Sequence, residues 1–148
     1  MSHLIDNGQD RRNQILGAAF SCFAKRGFHQ TSMHDISAEA GISVGLIYRY
    51  FESREEVLLH LFVAELVDCV AELEAALASC AGDAPAVGDR IVHGYLSRPL
   101  LCQLMAIVSN ILEHNLSVEA IASAKRQVCE LSVRVAAALS RALPLLSE

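Results

Sequence analysis

Apolar side chains recur every three or four residues along almost the whole chain, which is the spacing of helices that bury one face. The alternation of apolar and polar residues that indicates strands is almost absent. Polar caps, glycines and prolines bound the apolar stretches and favour helices at about 10–26, 33–40, 44–51, 53–81, 86–96, 98–113 and 118–143. The pattern therefore predicts an all-α fold.

The second and third of these helices are short and are joined by a tight turn at 41–43, which begins with a glycine. Ser32, with Asp35 three residues later, fits a capping box at the start of one helix, and Ser43 can cap the other. Two helices of about two turns joined in this way form a helix-turn-helix. The second helix of such a unit can enter the major groove of DNA.

We therefore expect a three-helix, helix-turn-helix DNA-binding domain over residues 1–52. A helical region for ligand binding and dimerisation should follow over 53–148, beginning with a long connecting helix at about 53–81. The net charge of −5 does not favour nucleic acid, but most of the negative excess lies in the second region. Residues 1–60 contain six Lys/Arg and seven Asp/Glu, whereas residues 61–148 contain six and ten. The first region is thus nearly neutral, and its charge alone does not predict DNA binding.

Several other classes of protein have no signal in the sequence. The longest apolar stretch, at 99–112, is shorter than the ~18 residues of a membrane span, and the polar start does not read as a signal peptide. We expect a cytoplasmic protein without a membrane partner. The five cysteines are odd in number and widely spaced, so no disulfide framework, metal site or cofactor is predicted. Common catalytic motifs are absent and no enzyme is expected, although a Cys–His nucleophile pair would leave no such motif.

Three short motifs follow one another through the helix-turn-helix. Residues 40–43 read Ala-Gly-Ile-Ser, 45–51 read Gly-x-x-Tyr-x-Tyr-Phe, and 53–55 read Ser-Arg-Glu. In this combination and spacing the chain resembles the DNA-binding module of the TetR family of bacterial transcription regulators, over roughly residues 10–65. The resemblance implies binding to double-stranded DNA.

The resemblance also implies which residues meet the DNA. Gly45 lets the backbone approach closely, and Arg49 can reach a guanine edge or a phosphate. The capping hydroxyl of Ser43 also favours phosphate. The positions where the family contacts the DNA backbone are Thr31, Ser32, Tyr48, Tyr50 and Arg54, and those where it approaches bases are Val44, Gly45, Leu46 and Arg49.

Two of these positions depart from the family pattern, which usually has Lys at the place of Val44 and a small polar residue at the place of Leu46. The apolar side chains either contact thymine methyl groups or weaken the binding. An alternative function follows from the second possibility. The chain would then be a helical ligand-binding or interaction module that has lost DNA binding.

For the second region the resemblance implies a small-molecule effector that releases a repressor from a palindromic operator. Polar or soft side chains within apolar helices are typical of such a pocket, although each of them is also explained by ordinary core packing. The candidates are His93, Tyr95, Gln103, Met105, Asn110, His114 and Arg126. Family members are typically longer, with two further helices that form a dimer interface. We expect the helices at 98–113 and 118–143 to form a homodimer instead.

Overall fold

The computed structural model of the protein describes residues 2–111 and 116–144, and it contains helices and no strands over these residues. The all-α expectation is confirmed. The helices are α1 (Ser2–Arg26), α2 (Met33–Ala40), α3 (Val44–Tyr48), α4 (Arg54–Leu77), α5 (Ala84–Leu96), α6 (Pro99–Ile111) and α7 (Val118–Ala142).

The chain forms two compact units. Unit 1 comprises Met1–Leu61 and Val108–Ser117, and unit 2 comprises Phe62–Ile107 and Val118–Glu148. The division falls within α4, whereas the domain boundary that we expect from function lies at the start of this helix, between residues 52 and 53. That functional boundary stays a prediction.

The core of unit 1 is built from one apolar face of each helix. Ile15 and Phe23 of α1, Ile36 of α2 and Ile47 of α3 are at most 1% exposed, and so is Phe51 after α3. Each such side chain contributes roughly 1.5–3 kcal/mol through its removal from water. These contacts hold the helix-turn-helix against α1.

Local caps fix where the helices of unit 1 begin and end, as the sequence predicts. Gly27 takes a left-handed conformation (φ 78°) at the end of α1. Ser32 and Asp35 form the capping box of α2, which ends at Gly41 (φ 66°) with the Ile42 N–H donating to the Ser37 carbonyl at 3.1 Å.

Three predicted helix bounds were wrong. The first helix begins at Ser2 instead of near residue 10. The glycine at position 8 costs only about 1 kcal/mol in a helix and does not interrupt it. The third helix ends at Tyr48, and the tighter turn that follows carries Phe51 into the core. The fourth ends at Leu77 instead of near residue 81.

Unit 2 has its own apolar core, which contains Leu77, Cys80, Val87, Ala138 and Ala142. The connection before α5 is tied to the end of α7, because the Gly82 N–H donates to the Ala142 carbonyl at 2.8 Å. Small residues allow this close approach of backbones.

Ion pairs join the helices of unit 2 at its surface. Arg98 contacts Glu65 at 3.2 Å and Glu72 at 2.6 Å, and Arg134 contacts Glu74. Among the described residues no single helix is long and apolar enough to cross a membrane; only α5 and the 99–108 part of α6, bent by 77°, meet the length and composition criteria together.

Candidate nucleic-acid interface

Helix α3 presents one buried and one exposed face. Ile47 is fully buried and Phe51 is 1% exposed, so these two side chains anchor the segment. Tyr48 is 53% exposed, which shows that its ring is not packed away against Phe51. The residues exposed on this segment are Ser43, Gly45, Tyr48 and Arg49.

Three further predicted contact residues are half-buried: Val44, Leu46 and Tyr50. Their side chains are therefore only partly available to a partner. The apolar surface that Val44 and Leu46 leave exposed suits contact with thymine methyl groups better than contact with phosphate.

The N-terminus of α3 is open to a partner. The Ser43 hydroxyl oxygen accepts a hydrogen bond from the Leu46 N–H at 3.3 Å, as a helix cap does. A methyl group added at Gly45 would meet no atom of the chain within 4 Å. The backbone at Gly45 is thus a place where a ligand can come close.

Thr31 does not present its hydroxyl to the surface. The residue is 1% exposed, and its Oγ1 donates to the Gly27 carbonyl at 2.9 Å and lies 3.5 Å from the Cys22 carbonyl. The expected contact between the Thr31 side chain and the DNA backbone does not fit this geometry. Its neighbour Ser32 is exposed.

Arg54 is also engaged within unit 1. Its Nη1 donates to the carbonyl oxygens of Thr31 (2.8 Å) and Phe28 (3.3 Å), and Nη2 pairs with Glu55 at 3.1 Å. The guanidinium lies over the Phe28 ring, 4.2 Å from its centroid. The side chain is 26% exposed, which does not fit a simple phosphate contact at the surface.

Two cations near the C-terminal end of α1 are paired with acids of α2. Arg26 donates to Asp35 at 2.7 Å, and Lys25 lies 3.2 Å from Glu39. Hydrogen bonds from Ser32, together with Arg26, lower the pKa of Asp35 to about 2. The capping acid is therefore ionised at neutral pH.

Arg49, by contrast, has no side-chain partner within the part of the chain that the structure describes.

A second group of polar contacts lies behind α3, and it was not foreseen from the sequence. Arg12 of α1 contacts His60 Nε2 at 3.1 Å and lies over the Phe51 ring, 4.8 Å from its centroid. His60 also packs edge-on against Phe51 and is 3.8 Å from Glu56. Burial, and then the charge of Arg12, lower the pKa of His60, although Glu56 opposes this.

Gln14 makes another contact that the sequence does not indicate. Its side-chain amide donates to the carbonyl of Ala40 at 2.8 Å and so ties α1 to the end of α2. Gln14 is 26 residues from its partner, and Arg12 is 48 residues from His60. No periodicity or cap at such separations could have indicated these pairs.

The predicted effector residues do not converge on one cavity. Tyr95 lines an apolar cavity of about 120 Å³ in unit 2, and it is itself 41% exposed. His93 borders a separate, shallow depression on α5. His114 lies outside the described residues. The remaining candidates are all exposed: Gln103, Met105, Asn110 and Arg126.

The cavity at Tyr95 has almost entirely apolar walls, which come from α4, α5 and α7. Its lining residues are Leu66, Cys69, Val70, Leu73, Ile91, Gly94, Tyr95, Val135 and Leu139. Of the five free cysteines, Cys102 and Cys129 are exposed and the other three are buried. In the described ranges, no three His, Cys, Asp or Glu residues are placed to hold a metal ion.

Relatives with similar sequences match the first part of the chain. The fatty acid metabolism regulator protein of Bacillus subtilis is 34% identical over 61 residues, which are 41% of this chain and 31% of that protein. The HTH-type transcriptional regulator HbdR of Aromatoleum sp. is 40% identical over 50 residues, 34% of this chain and 22% of that protein. The chain thus spans less than a third of the length of these two relatives.

A solved structure extends the likeness to most of the chain. The fatty acid degradation regulator FadR from Bacillus halodurans is 25% identical, with a TM-score of 0.54, and the match covers 92% of this chain and 64% of that one. Two family models divide the sequence between them. Residues 15–61 match the bacterial regulatory proteins of the tetR family, and residues 63–148 match the tetracyclin repressor-like C-terminal domain. With both parts of the sequence matched, the chain belongs to the TetR family of bacterial regulatory proteins.

Proposed function

We propose that the protein is a DNA-binding transcription regulator in which α3 is the recognition helix, and that it acts as a repressor which a small effector releases from its operator. One observation carries the proposal: α3 is anchored by Ile47 and Phe51, while Gly45, Tyr48 and Arg49 are exposed on a unit of the tetR-family type. An unpaired, exposed arginine beside an open backbone suits the edge of a base or a phosphate.

The proposed interface is narrower than the sequence alone predicts. It keeps Ser32 and the segment 43–50, whereas Thr31 and Arg54 are bonded within unit 1. Val44 and Leu46 contribute only the half-buried apolar edges of their side chains. Few cations remain for phosphate, so we expect the DNA affinity to fall only slightly with rising salt concentration.

We further propose that the effector is apolar and enters unit 2 at the cavity lined by Tyr95. A volume of about 120 Å³ is close to that of an engineered apolar cavity of about 150 Å³ that binds benzene. Relatives named for fatty acid metabolism and degradation support an apolar ligand. Tyr95 and Cys69 are the lining residues that carry a polar side-chain group.

The functional form in this proposal is a cytoplasmic homodimer. A two-fold pair is the commonest oligomer, and it matches the symmetry of a palindromic DNA site. The family consists of regulators, not enzymes, and we propose no catalytic activity and no cofactor for this chain.

The test is selection of bound fragments from genomic DNA, followed by titration over a range of salt concentrations. We expect a two-fold site with half-sites ~34–36 Å apart. Arg49→Ala should then cost ~1–3 kcal/mol of binding free energy and relax the preference at one or two bases, since a bidentate contact to guanine is lost.

Arg90→Ala is the matched control, because Arg90 is an exposed arginine on α5 of unit 2. It should leave DNA affinity unchanged. If no duplex binds even at low salt, the proposal fails, and the alternative of a module without DNA binding takes its place.

A further inference from the structure

Two backbone carbonyls of the segment 27–32, between α1 and α2, accept hydrogen bonds from the side chain of Arg54 on α4. We propose that Arg54 is a positioning residue that clamps this segment and so sets the start of α2 in its DNA-competent place, instead of binding phosphate. The proposal rests on the proposed function for its DNA-binding consequence, although the clamp itself is a property of the free protein.

The contacts of Arg54 require an arginine. Its Nη1 reaches two backbone carbonyls, those of Phe28 and Thr31, while its plane lies 4.2 Å above the Phe28 ring. A planar guanidinium can donate in fixed directions and stack on an aromatic ring at the same time, whereas a lysine ammonium is a compact point charge. Glu55 pairs with the remaining amino group at 3.1 Å.

The clamped carbonyls belong to the turn that leads into the capping box. The Thr31 N–H donates to the Phe28 carbonyl at 3.1 Å, so Arg54 shares an acceptor with this turn. The next residue, Ser32, is the N-cap of α2 and accepts from the Asp35 N–H. Because the guanidinium stands at the first residue of α4, it links that helix to the start of α2.

The first experiment needs no DNA. Backbone amide exchange is measured at Thr31 and Asp35 in the full-length parent protein and in Arg54→Lys, Arg54→Ala and Arg11→Lys, with circular dichroism to show that each variant is folded. Arg11 is an exposed arginine of α1 whose one hydrogen-bond partner among the described residues is Gln14, on the same helix. Its replacement should leave the exchange rates at Thr31 and Asp35 unchanged.

Both Arg54 variants should exchange about tenfold faster than the parent at these two amides, the factor expected when one hydrogen bond from a charged donor is lost. Exchange at the parent rate in Arg54→Lys would overturn the clamp. The lysine variant also keeps the result interpretable if the alanine variant fails to fold.

The second experiment titrates the same proteins with a random-sequence duplex at several salt concentrations. Binding should be about tenfold weaker in both Arg54 variants, because the segment 27–32 is less ordered in them and must become ordered on binding. The slope of log K against log salt should stay at the parent value, since no phosphate contact is removed. Two results together would refute the proposal and make Arg54 a phosphate contact. Arg54→Lys would bind DNA as tightly as the parent, and the slope of log K against log salt would be reduced by about 0.9 in Arg54→Ala alone.

The two experiments fail separately. If the parent protein binds no duplex, the proposed function is wrong, and the exchange rates still decide whether Arg54 is a clamp.

Discussion

Replacing Gly45 with alanine should change stability and DNA binding in opposite directions. Gly45 is the second residue of α3, is exposed, and has open space where a Cβ would lie. Its conformation is not left-handed, so an alanine fits the backbone without strain. The change adds one methyl group at the centre of the proposed interface.

The stability part of the effect follows from helix propensity. Alanine in place of a glycine within a helix stabilises by about 0.5–1 kcal/mol, and no clash at Gly45 offsets this gain. The midpoint of thermal unfolding should rise by a few degrees. The effect on DNA binding has the opposite sign, because a methyl group where the backbone approaches the DNA closely keeps neighbouring contacts from forming. We expect a loss of ~1–3 kcal/mol of binding free energy, which is the value of one good base contact.

Gly17→Ala is the matched control. Gly17 is an exposed glycine of α1 in the same unit, and a Cβ there also meets no atom within 4 Å. Its replacement should stabilise the protein to a similar degree and leave DNA affinity unchanged. Thermal unfolding and fluorescence-anisotropy titration with the selected duplex measure the two quantities on the same samples.

Two results would refute the reasoning in different places. Equal DNA affinity in Gly45→Ala and the parent would mean that the backbone of α3 does not approach DNA at this residue. Reduced stability in Gly45→Ala would mean that the start of α3 is not helical there, and the assignment of the recognition helix would have to change.

The remaining predictions concern pH and the packing of unit 2. Burial and Arg12 lower the pKa of His60 below the value of about 6.5 that it has in an unfolded chain. The neutral ring therefore stabilises unit 1 above about pH 6.5, and this stabilisation is lost as the pH falls through the pKa of the folded state. Chemical denaturation between about pH 7.5 and pH 5 should therefore show a smaller loss of stability in His60→Gln than in the parent, and equal losses would contradict this. In unit 2, Val135→Asp should cost about 2–4 kcal/mol of unfolding free energy, because Val135 is partly buried and lines the apolar cavity. Val133→Asp should leave the unfolding free energy unchanged, because Val133 is 69% exposed. The same change should dissociate the proposed homodimer if that face of α7 forms the interface. Denaturation measures the first effect and sedimentation the second, in both variants.

The position of Val135 bears on the dimer that the sequence leads us to expect. From the sequence we expect the apolar face of the helix at 118–143 to form part of a homodimer interface, whereas Val135 and Leu139 line the cavity and Leu139 also packs on the core of unit 2. The spacing was correctly read as one apolar face of a helix. Which neighbour covers that face depends on contacts with α4 and α5, and periodicity within α7 does not contain them.

The features that the sequence did predict are local ones. Ser32 and Asp35 are three residues apart, and the Ser43 cap reaches only to Leu46. Such hydrogen bonds depend on residue type and short spacing, which a sequence displays directly. The same holds for Gly41, whose left-handed conformation ends α2.

The use of a side chain, in contrast, depends on distant partners. The Ser-Arg-Glu motif marks the start of α4, and resemblance to the family assigns its arginine to the DNA backbone. In this chain Phe28, 26 residues away, supplies both a ring and a carbonyl to Arg54. An arginine that resembles a surface contact in the motif is therefore largely internal, and only the three-dimensional arrangement distinguishes the two.

This internal use of charge bears on how a nearly neutral unit can bind a polyanion. Of the six Lys/Arg residues in 1–60, Lys25, Arg26 and Arg54 are paired with carboxylates, and Arg12 lies against Phe51 and His60. Arg11 is exposed and donates to Gln14 of its own helix, outside the segment 43–50. Within that segment, phosphate attraction falls to Arg49 and to the open N-terminus of α3, whose backbone N–H groups attract anions without adding a charge. Affinity built on few cations changes little with ionic strength, and it depends on how closely the backbone of α3 approaches the DNA. That dependence on distance is the reason why one methyl group at Gly45 should weaken binding while the helix beneath it becomes more stable.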